Sequence, residues 1–309
     1  MKKIEVYILS GFLGAGKTTL LTNILQQEKE RNRKIAVIMN ELGEVSIDSN
    51  AIPENTPLAE LLNGCVCCTI QGQLEVQLHN IIEENELDAI YIETTGVAHP
   101  IEVLDACMSP LFADRLQIKS IITLIDSNRW LDQSNLSIQL KKLLQEQVIH
   151  ADIVLINKVD QLSESEKANI VMNIQQLNSK GKIILTEYAD INLEQLQGGT
   201  VQEKKSHEQV HVHNHLHIRT YVHSFSRSVD LNEFENFLKT MPDTIYRIKG
   251  YMKFRHSDNT YLFQYSYGMP LYLKEPVTMK NILVFIGENL DHEVLKAALN
   301  RLERKEADI

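Results

Sequence analysis

Apolar positions recur in two rhythms along the first two thirds of the chain. Ile4, Val6 and Ile8 alternate as in a strand, and Leu20, Leu21, Ile24 and Leu25 then return at the spacing of a helix. Residues 34–39 (KIAVIM) are an unbroken apolar run, the pattern of a strand buried on both faces. Further strands are predicted at 88–92, 118–125, 151–156 and 182–186, with helical patterns between and after them. Residues 70–87 read as an amphipathic helix through Leu74, Leu78, Ile81 and Ile82, and a short helical turn is predicted around 58–62. Strands alternating with helices predict an α/β fold with a mostly parallel sheet and ligands at the carboxyl ends of its strands.

That rhythm dissolves between about 197 and 214 into Gly198-Gly199, a charged run and histidines. A second unit follows, with strands predicted at 218–225, 244–254, 260–267 and 282–286 and helices at 231–238 and 292–302. The expected organisation is an α/β domain over 1–196, a histidine-containing linker over 197–215 and a smaller α+β domain over 216–309.

The polar residues at the strand ends carry the chemistry. Gly11-Phe12-Leu13-Gly14-Ala15-Gly16-Lys17-Thr18-Thr19 stands between a strand and a helix, the context in which a Walker A string is a phosphate site. Its backbone N–H groups and the positive helix end suit a polyphosphate. Lys17 reaches the β- and γ-phosphates, and the Thr18 hydroxyl completes a Mg²⁺ shell that is otherwise mostly water and phosphate. Asn157-Lys158-Val159-Asp160 ends another buried strand. A carboxylate at Asp160 accepts from the N1–H and N2 amine of guanine and finds neither donor on adenine. Asn157 is expected to bond the other base edge, and the Lys158 stem to cover the base plane. Glu93, at the tip of a strand, is expected on the magnesium side, and Gly96 to bring its N–H close to the γ-phosphate. A simple strand-to-loop cap is the competing reading of Glu93-Thr94-Thr95-Gly96.

Cys65, Cys67 and Cys68 offer three soft donors within four residues, a set that selects Zn²⁺ or Cu⁺ and leaves one tetrahedral position open. They could instead be small buried hydrophobes, or Cys65 and Cys68 a redox pair, against which the third thiol argues. Cys107 lies on an apolar helical face and is expected in the core. His211, His213, His215 and His217 alternate, with His207 just before them. They are read either as a metal-collecting loop or as a solvated linker running into an edge strand.

Composition narrows the classes. A net charge of −10 over 309 residues argues against a general nucleic-acid binder. No apolar run approaches the roughly 18 residues of a membrane span. The early start of the phosphate loop argues against a cleavable leader. Three of the four cysteines crowd together, so a thiol site in a reducing compartment is expected, and with it a cytoplasmic location.

With GFLGAGKTT, NELGEVSID, NGCVCC, ETTG and NKVD in this order, the chain resembles the CobW-like metallochaperone GTPases over nearly its full length. The resemblance implies GTP hydrolysis coupled to delivery of a transition metal. It implies that Cys65, Cys67 and Cys68 hold the metal, with Glu41 an extra ligand in some members. It places the segment from 68 to 72 near the nucleotide, and a CobW-type domain at the C-terminal end. The alternating histidines depart from the denser His runs of many members. The reading is a GTPase using GTP and Mg²⁺ that binds Zn²⁺ and hands it to a client metalloprotein. Lys17 would act on the phosphates, and Glu44 or Asp48 would orient the attacking water. Three alternatives stand beside it: a cobalt chaperone for cobalamin or cobalt-enzyme assembly, a P-loop small-molecule kinase, and a metal buffer with a relic nucleotide site. Phosphorylation of an added acceptor marks the kinase, and absent GTP turnover marks the buffer. The client and the oligomeric state are left open.

Overall fold

The computed structural model describes residues 2–39, 58–60, 70–133, 136–196, 218–266 and 268–304, and the chain forms two compact units. The first comprises Met1–Cys107 and Leu116–His217, the second Met108–Arg115 and Ile218–Ile309. Expectations for Glu41, Glu44, Asp48, Cys65, Cys67, Cys68, His207, His211, His213, His215 and His217 lie outside the described residues.

In the first unit the strands are β1 (Ile4–Gly11), β2 (Ile35–Met39), β3 (Leu58–Glu60), β4 (Ala89–Glu93), β5 (Leu116–Asp126), β6 (Ile153–Asn157) and β7 (Lys182–Leu185). They form one sheet in the order β3-β2-β4-β1-β5-β6-β7, every pairing parallel. The helices are α1 (Lys17–Glu30), α2 (Ile70–Glu84), α3 (Pro100–Cys107), α4 (Ser127–Leu131), α5 (Ile138–Ile149), α6 (Glu164–Leu177) and α7 (Leu193–Leu196).

Both sheet faces are covered, which is why the central strands lack polar alternation. On one face Leu9, Val37, Tyr91, Leu124 and Leu155 pack with Leu20, Leu21, Ile24 and Leu25 of α1 and Leu193 and Leu196 of α7. On the other, Val154 and Ile156 pack with Leu144 and Val148 of α5 and Ile170 and Ile174 of α6. Cys107 is fully buried at the end of α3. The amphipathic helix α2 buries Leu74, Leu78, Ile81 and Ile82 as its spacing predicts, but stops at Glu84, where Asn85 Nδ2 donates to the Ile81 carbonyl at 3.0 Å.

The expected helical turn at 58–62 is corrected. Residues Leu58–Glu60 are a strand, paired in parallel with β2 through Val37↔Leu58, Ile38↔Ala59 and Met39↔Glu60. Three residues carry no periodicity of their own, and the open edge of β2 decides their conformation.

The second unit is an antiparallel sheet of β8 (Ile218–Ser224), β9 (Ile245–Lys253), β10 (Thr260–Ser266), β11 (Met269–Glu275) and β12 (Ile282–Glu288) in the order β11-β10-β9-β12-β8. Helices α8 (Leu231–Lys239) and α9 (His292–Arg304) share its core, through Phe234, Phe237 and Leu238 on one and Leu295, Leu299 and Leu302 on the other. Strand β11 is absent from the sequence expectation. It is an edge strand with Met269, Leu271 and Leu273 exposed and Pro270 within it, so burial imposes no alternation on it.

One polar cluster ties α1 to the sheet. The Glu28 carboxylate is fully buried and accepts from the Tyr91 hydroxyl and from Arg33 Nη1, the latter at 3.0 Å. Arg33 also donates to Glu5, which Lys119 approaches at 3.4 Å. Burial pushes the Glu5 carboxyl up, but the Arg33 hydrogen bond and the charges of Arg33 and Lys119 outweigh it and hold it below 4.5. The stabilisation from Glu5 is therefore complete at neutral pH and fades as pH falls below that value.

Arg33→Met should cost about 3–5 kcal/mol in denaturant unfolding, because it strips a buried carboxylate of its counter-charge. Arg31→Met, which breaks only the exposed 3.7 Å pair with Glu194, should cost less than about 1 kcal/mol. Equal losses in the two variants would contradict this assignment.

Candidate functional site

The carboxyl ends of β1, β4 and β6 bring the described candidate residues together. Gly11 closes β1, Phe12 to Gly16 form the loop, and Lys17, Thr18 and Thr19 open α1. The turn is closed by the Ala15 N–H donating to Phe12 O at 3.2 Å, and the helix begins with Leu20 N–H on Gly16 O at 2.9 Å. Lys17 is buried, its ammonium donating to the carbonyls of Gly11 (2.8 Å) and Phe12 (3.2 Å). Desolvation lowers its pKa from the ordinary 10.5, while the charge of Glu93 works in the opposite sense. The ammonium is thus curled over the loop and held by carbonyls that a polyphosphate can replace.

Thr18 Oγ1 donates to Glu93 Oε1 at 3.0 Å, bringing a hydroxyl and a carboxylate side by side at the mouth of the loop. Two hard oxygen donors suit Mg²⁺ and do not suit a soft ion. Beyond Glu93, Gly96 is packed against the phosphate loop itself. A Cβ there would lie 2.5 Å from Leu13 N and 2.7 Å from Leu13 Cγ, so only glycine allows the approach.

Asn157 ends β6 and is 2% exposed. Its Nδ2 donates to Ala15 O at 2.9 Å, and its Oδ1 accepts the Ala189 N–H at 2.9 Å. The amide therefore joins the phosphate loop to the segment after β7. Gly16, at φ 106°, leaves room for it: a Cβ there would meet Nδ2 at 2.5 Å. Lys158 takes the left-handed region at φ 64° and donates from Nζ to Asp126 Oδ2 at 2.6 Å, so its head is anchored at the end of β5. Asp160 sits exposed in a short 3-10 turn, Val159–Gln161.

Arg129, Asp126, Tyr188 and Ala189 have no counterpart in the sequence reading. Arg129 of α4 donates from Nη1 to Leu13 O at 2.9 Å and stacks its guanidinium 4.5 Å from the Phe12 ring centroid. Asp126 accepts from Arg129 N–H at 3.1 Å, capping α4 while it holds Lys158. Tyr188 and Ala189 both have positive φ, 52° and 53°, and Asn23 Nδ2 secures their carbonyls at 3.4 and 3.1 Å. Two consecutive non-glycine residues in this region cost about 1–3 kcal/mol each and persist only where neighbours over-determine them. The available signal was position alone: each lies at or just beyond the carboxyl end of a strand.

A strand, a glycine loop and a helix carrying Lys17 and Thr18 at the carboxyl edge of a parallel sheet define a P-loop nucleotide-binding domain. Residues 5–185 match the family model described as CobW/HypB/UreG, nucleotide-binding domain, and residues 218–303 match the cobalamin synthesis protein cobW C-terminal domain. The chain belongs to this CobW/HypB/UreG family. It is 31% identical over 329 residues to the zinc chaperone YjiA of Escherichia coli (strain K12), covering 98% of this chain and 100% of that protein. It is 30% identical over 244 residues to the zinc-regulated GTPase metalloprotein activator 1 of Dictyostelium discoideum, covering 67% of this chain and 51% of that one. The crystal structure of Zn(II)-bound YjiA GTPase from E. coli matches with a TM-score of 0.50 at 28% identity, over 98% of this chain and 100% of that chain. No described helix is long and apolar enough to cross a membrane.

Asn157→Ala should destabilise the protein, because it leaves the Ala15 carbonyl and the Ala189 amide unmatched at about 1–3 kcal/mol for each buried group. Nucleotide affinity should fall with it. Asp160→Ala, on an exposed turn, should weaken nucleotide binding with an unchanged unfolding midpoint. An unchanged midpoint in Asn157→Ala would show that the tie does not hold the loop.

Proposed function

We infer that this protein is a GTPase that binds Zn²⁺ and delivers it to a client metalloprotein. The observation that carries the nucleotide half is the Asn157 amide on Ala15 O, which fastens the strand end bearing Asp160 to the phosphate loop. A base recognised by Asp160 and a triphosphate held by the loop then belong to one ligand. Guanine supplies the two donors that a carboxylate accepts and adenine supplies neither.

For hydrolysis, Lys17 would leave the carbonyls of Gly11 and Phe12 and meet the charge that develops at the β- and γ-phosphates. Mg²⁺, held by Thr18 and on the Glu93 side, would neutralise phosphate charge when bound. Gly96 would turn its N–H toward the γ-phosphate, and Arg129 would keep Phe12 and Leu13 in register. Glu44 or Asp48 would orient the water. Catalysis here is positioning and charge stabilisation of an in-line attack.

For the metal half, the support is the chemistry of Cys65, Cys67 and Cys68, with Glu41, and the zinc named for the relatives. The described strands β2 and β3 end at Met39 and Glu60 on the carboxyl edge that also holds Gly11, Glu93 and Asn157. Glu41 and the cysteines follow those ends in sequence. Nucleotide state and metal affinity are therefore read as coupled, with hydrolysis changing how firmly the ion is held. Zinc rather than cobalt is the reading because zinc is the metal named for these relatives.

Turnover and equilibrium binding with GTP, ATP and xanthosine triphosphate test the nucleotide half. GTP should bind and turn over in strong preference to ATP. Asp160→Asn should erode that preference and admit the xanthine nucleotide, whose C2 oxygen accepts from the new amide. Equal affinities for GTP and ATP in the unaltered protein would overturn the reading.

A further inference from the structure

Away from the phosphate loop, three potential metal ligands converge on the first unit. Among the described residues, His99, Glu146 and His150 are the one group of three such side chains whose ligand atoms all lie within 4.8 Å of one another. Glu146 Oε2 is 3.1 Å from His150 Nε2 and 3.9 Å from His99 Nε2, and the two rings are 5.5 Å apart between centroids. Glu146 and His150 stand one turn apart at the C-terminal end of α5. His99 comes from the loop that links β4 to α3.

We propose that His99, Glu146 and His150 form a divalent-metal site of the Zn(II) class, separate from the cysteine segment. Two imidazoles and one carboxylate are a donor set that zinc accepts, with a fourth position left for water. A tetrahedral ion with bonds of about 2.0–2.1 Å sets neighbouring donors about 3.3 Å apart. The observed 3.1 and 3.9 Å lie on either side of that spacing, and all three ligand atoms lie within 4.8 Å of one another. The side chains keep 33%, 31% and 13% of their exposure for His99, Glu146 and His150, which leaves an entry path for the ion and its water.

Ordinary roles account for only part of this arrangement. Glu146 and His150 make an i,i+4 pair, and His99 Nδ1 accepts the Ile101 N–H at 3.3 Å at the start of α3. His99 Nε2 also faces Glu146 Oε2 at 3.9 Å, so a single carboxylate oxygen stands between two imidazole nitrogens. Metal binding through Nε2 moves the ring proton to Nδ1 and gives up the Ile101 bond. The Glu102 N–H still caps on His99 O at 3.0 Å.

The scaffold holds the two halves in place. Gln147, 1% exposed and next to Glu146, donates from Nε2 to Gly96 O at 3.3 Å and Ala98 O at 3.2 Å. Helix α5 thus already grips the loop that delivers His99. An ion in the site would add a bond between α5 and the loop that follows β4, beside the two that Gln147 already makes.

The test uses the full chain with Cys65→Ser, Cys67→Ser and Cys68→Ser, which removes thiolate ligands, and compares it with the same chain also carrying His99→Asn, Glu146→Gln or His150→Gln. Asparagine at 99 keeps a side-chain oxygen for the Ile101 N–H, so α3 retains its cap. Zinc is titrated against a chromophoric chelator, and Co²⁺ serves as a spectroscopic probe. Each added substitution should remove one equivalent of bound metal, with a loss of affinity exceeding the roughly 10–100-fold that a second-shell change costs. Unchanged stoichiometry and affinity in His99→Asn and His150→Gln would overturn the site. As a second readout, the Cys→Ser chain loaded with ¹¹³Cd should give an NMR signal in the nitrogen–oxygen range that is lost in His99→Asn, which separates it from any signal of His207–His217. Absence of the nitrogen–oxygen signal would equally overturn the site.

Discussion

The primary amide of Asn157 donates to Ala15 O and accepts from Ala189 N, both at 2.9 Å, in a position only 2% exposed. Its strand, β6, is separated from β1 by β5 in the sheet, so the bond to the phosphate loop spans the end of β5. The neighbouring contacts follow from it. Gly16 is glycine because a Cβ would strike the amide, and the left-handed Tyr188 and Ala189 are fixed partly by the N–H that Asn157 accepts. Lys158, the next residue, carries the geometry to Asp126, and Asp126 through α4 to Arg129 and back to Phe12 and Leu13. The loop is closed into a ring of contacts before any nucleotide arrives, which lowers the ordering cost of binding.

Much of this was legible from residue pattern. The buried strands announced themselves because a parallel sheet covered on both faces permits no polar alternation. The candidate chemistry fell at strand ends because parallel strands aim those ends at one edge. What escaped did so for identifiable reasons. Leu58–Glu60 is a strand only because β2 offers it an edge, and Met269–Glu275 only because β10 does. Three residues are too few to carry a period, and β11 is mostly exposed. Asn157 carries a further role that its motif does not announce: both ends of its amide are engaged by the protein's own backbone. Arg129 and Asp126 belong to no short motif, and their roles arise from three-dimensional proximity to a loop more than a hundred residues away.

On the proposed reading, the carboxyl edge would give the two chemistries a common seat. Thr18, Glu93 and Gly96 lie on one side of the phosphate loop, and the described ends of β2 and β3 lead into the segments that carry Glu41, Cys65, Cys67 and Cys68. A γ-phosphate with Mg²⁺ orders loops at such an edge, and its loss releases them. Thiolates with an open position bind zinc tightly, so release needs a change in geometry rather than simple dilution. GTP hydrolysis supplies that change in this account, and the cost of moving the ion is carried by the difference between two nucleotide states.

The most direct measurement is a Zn²⁺ titration against a competing chelator on the full chain, loaded in turn with GDP and with a non-hydrolysable GTP analogue. The account predicts zinc affinities that differ between the two states by about 5- to 150-fold, the usual range of coupling between sites, with zinc shifting the GTP-to-GDP preference by the same factor. Identical zinc affinities in the two states would contradict it.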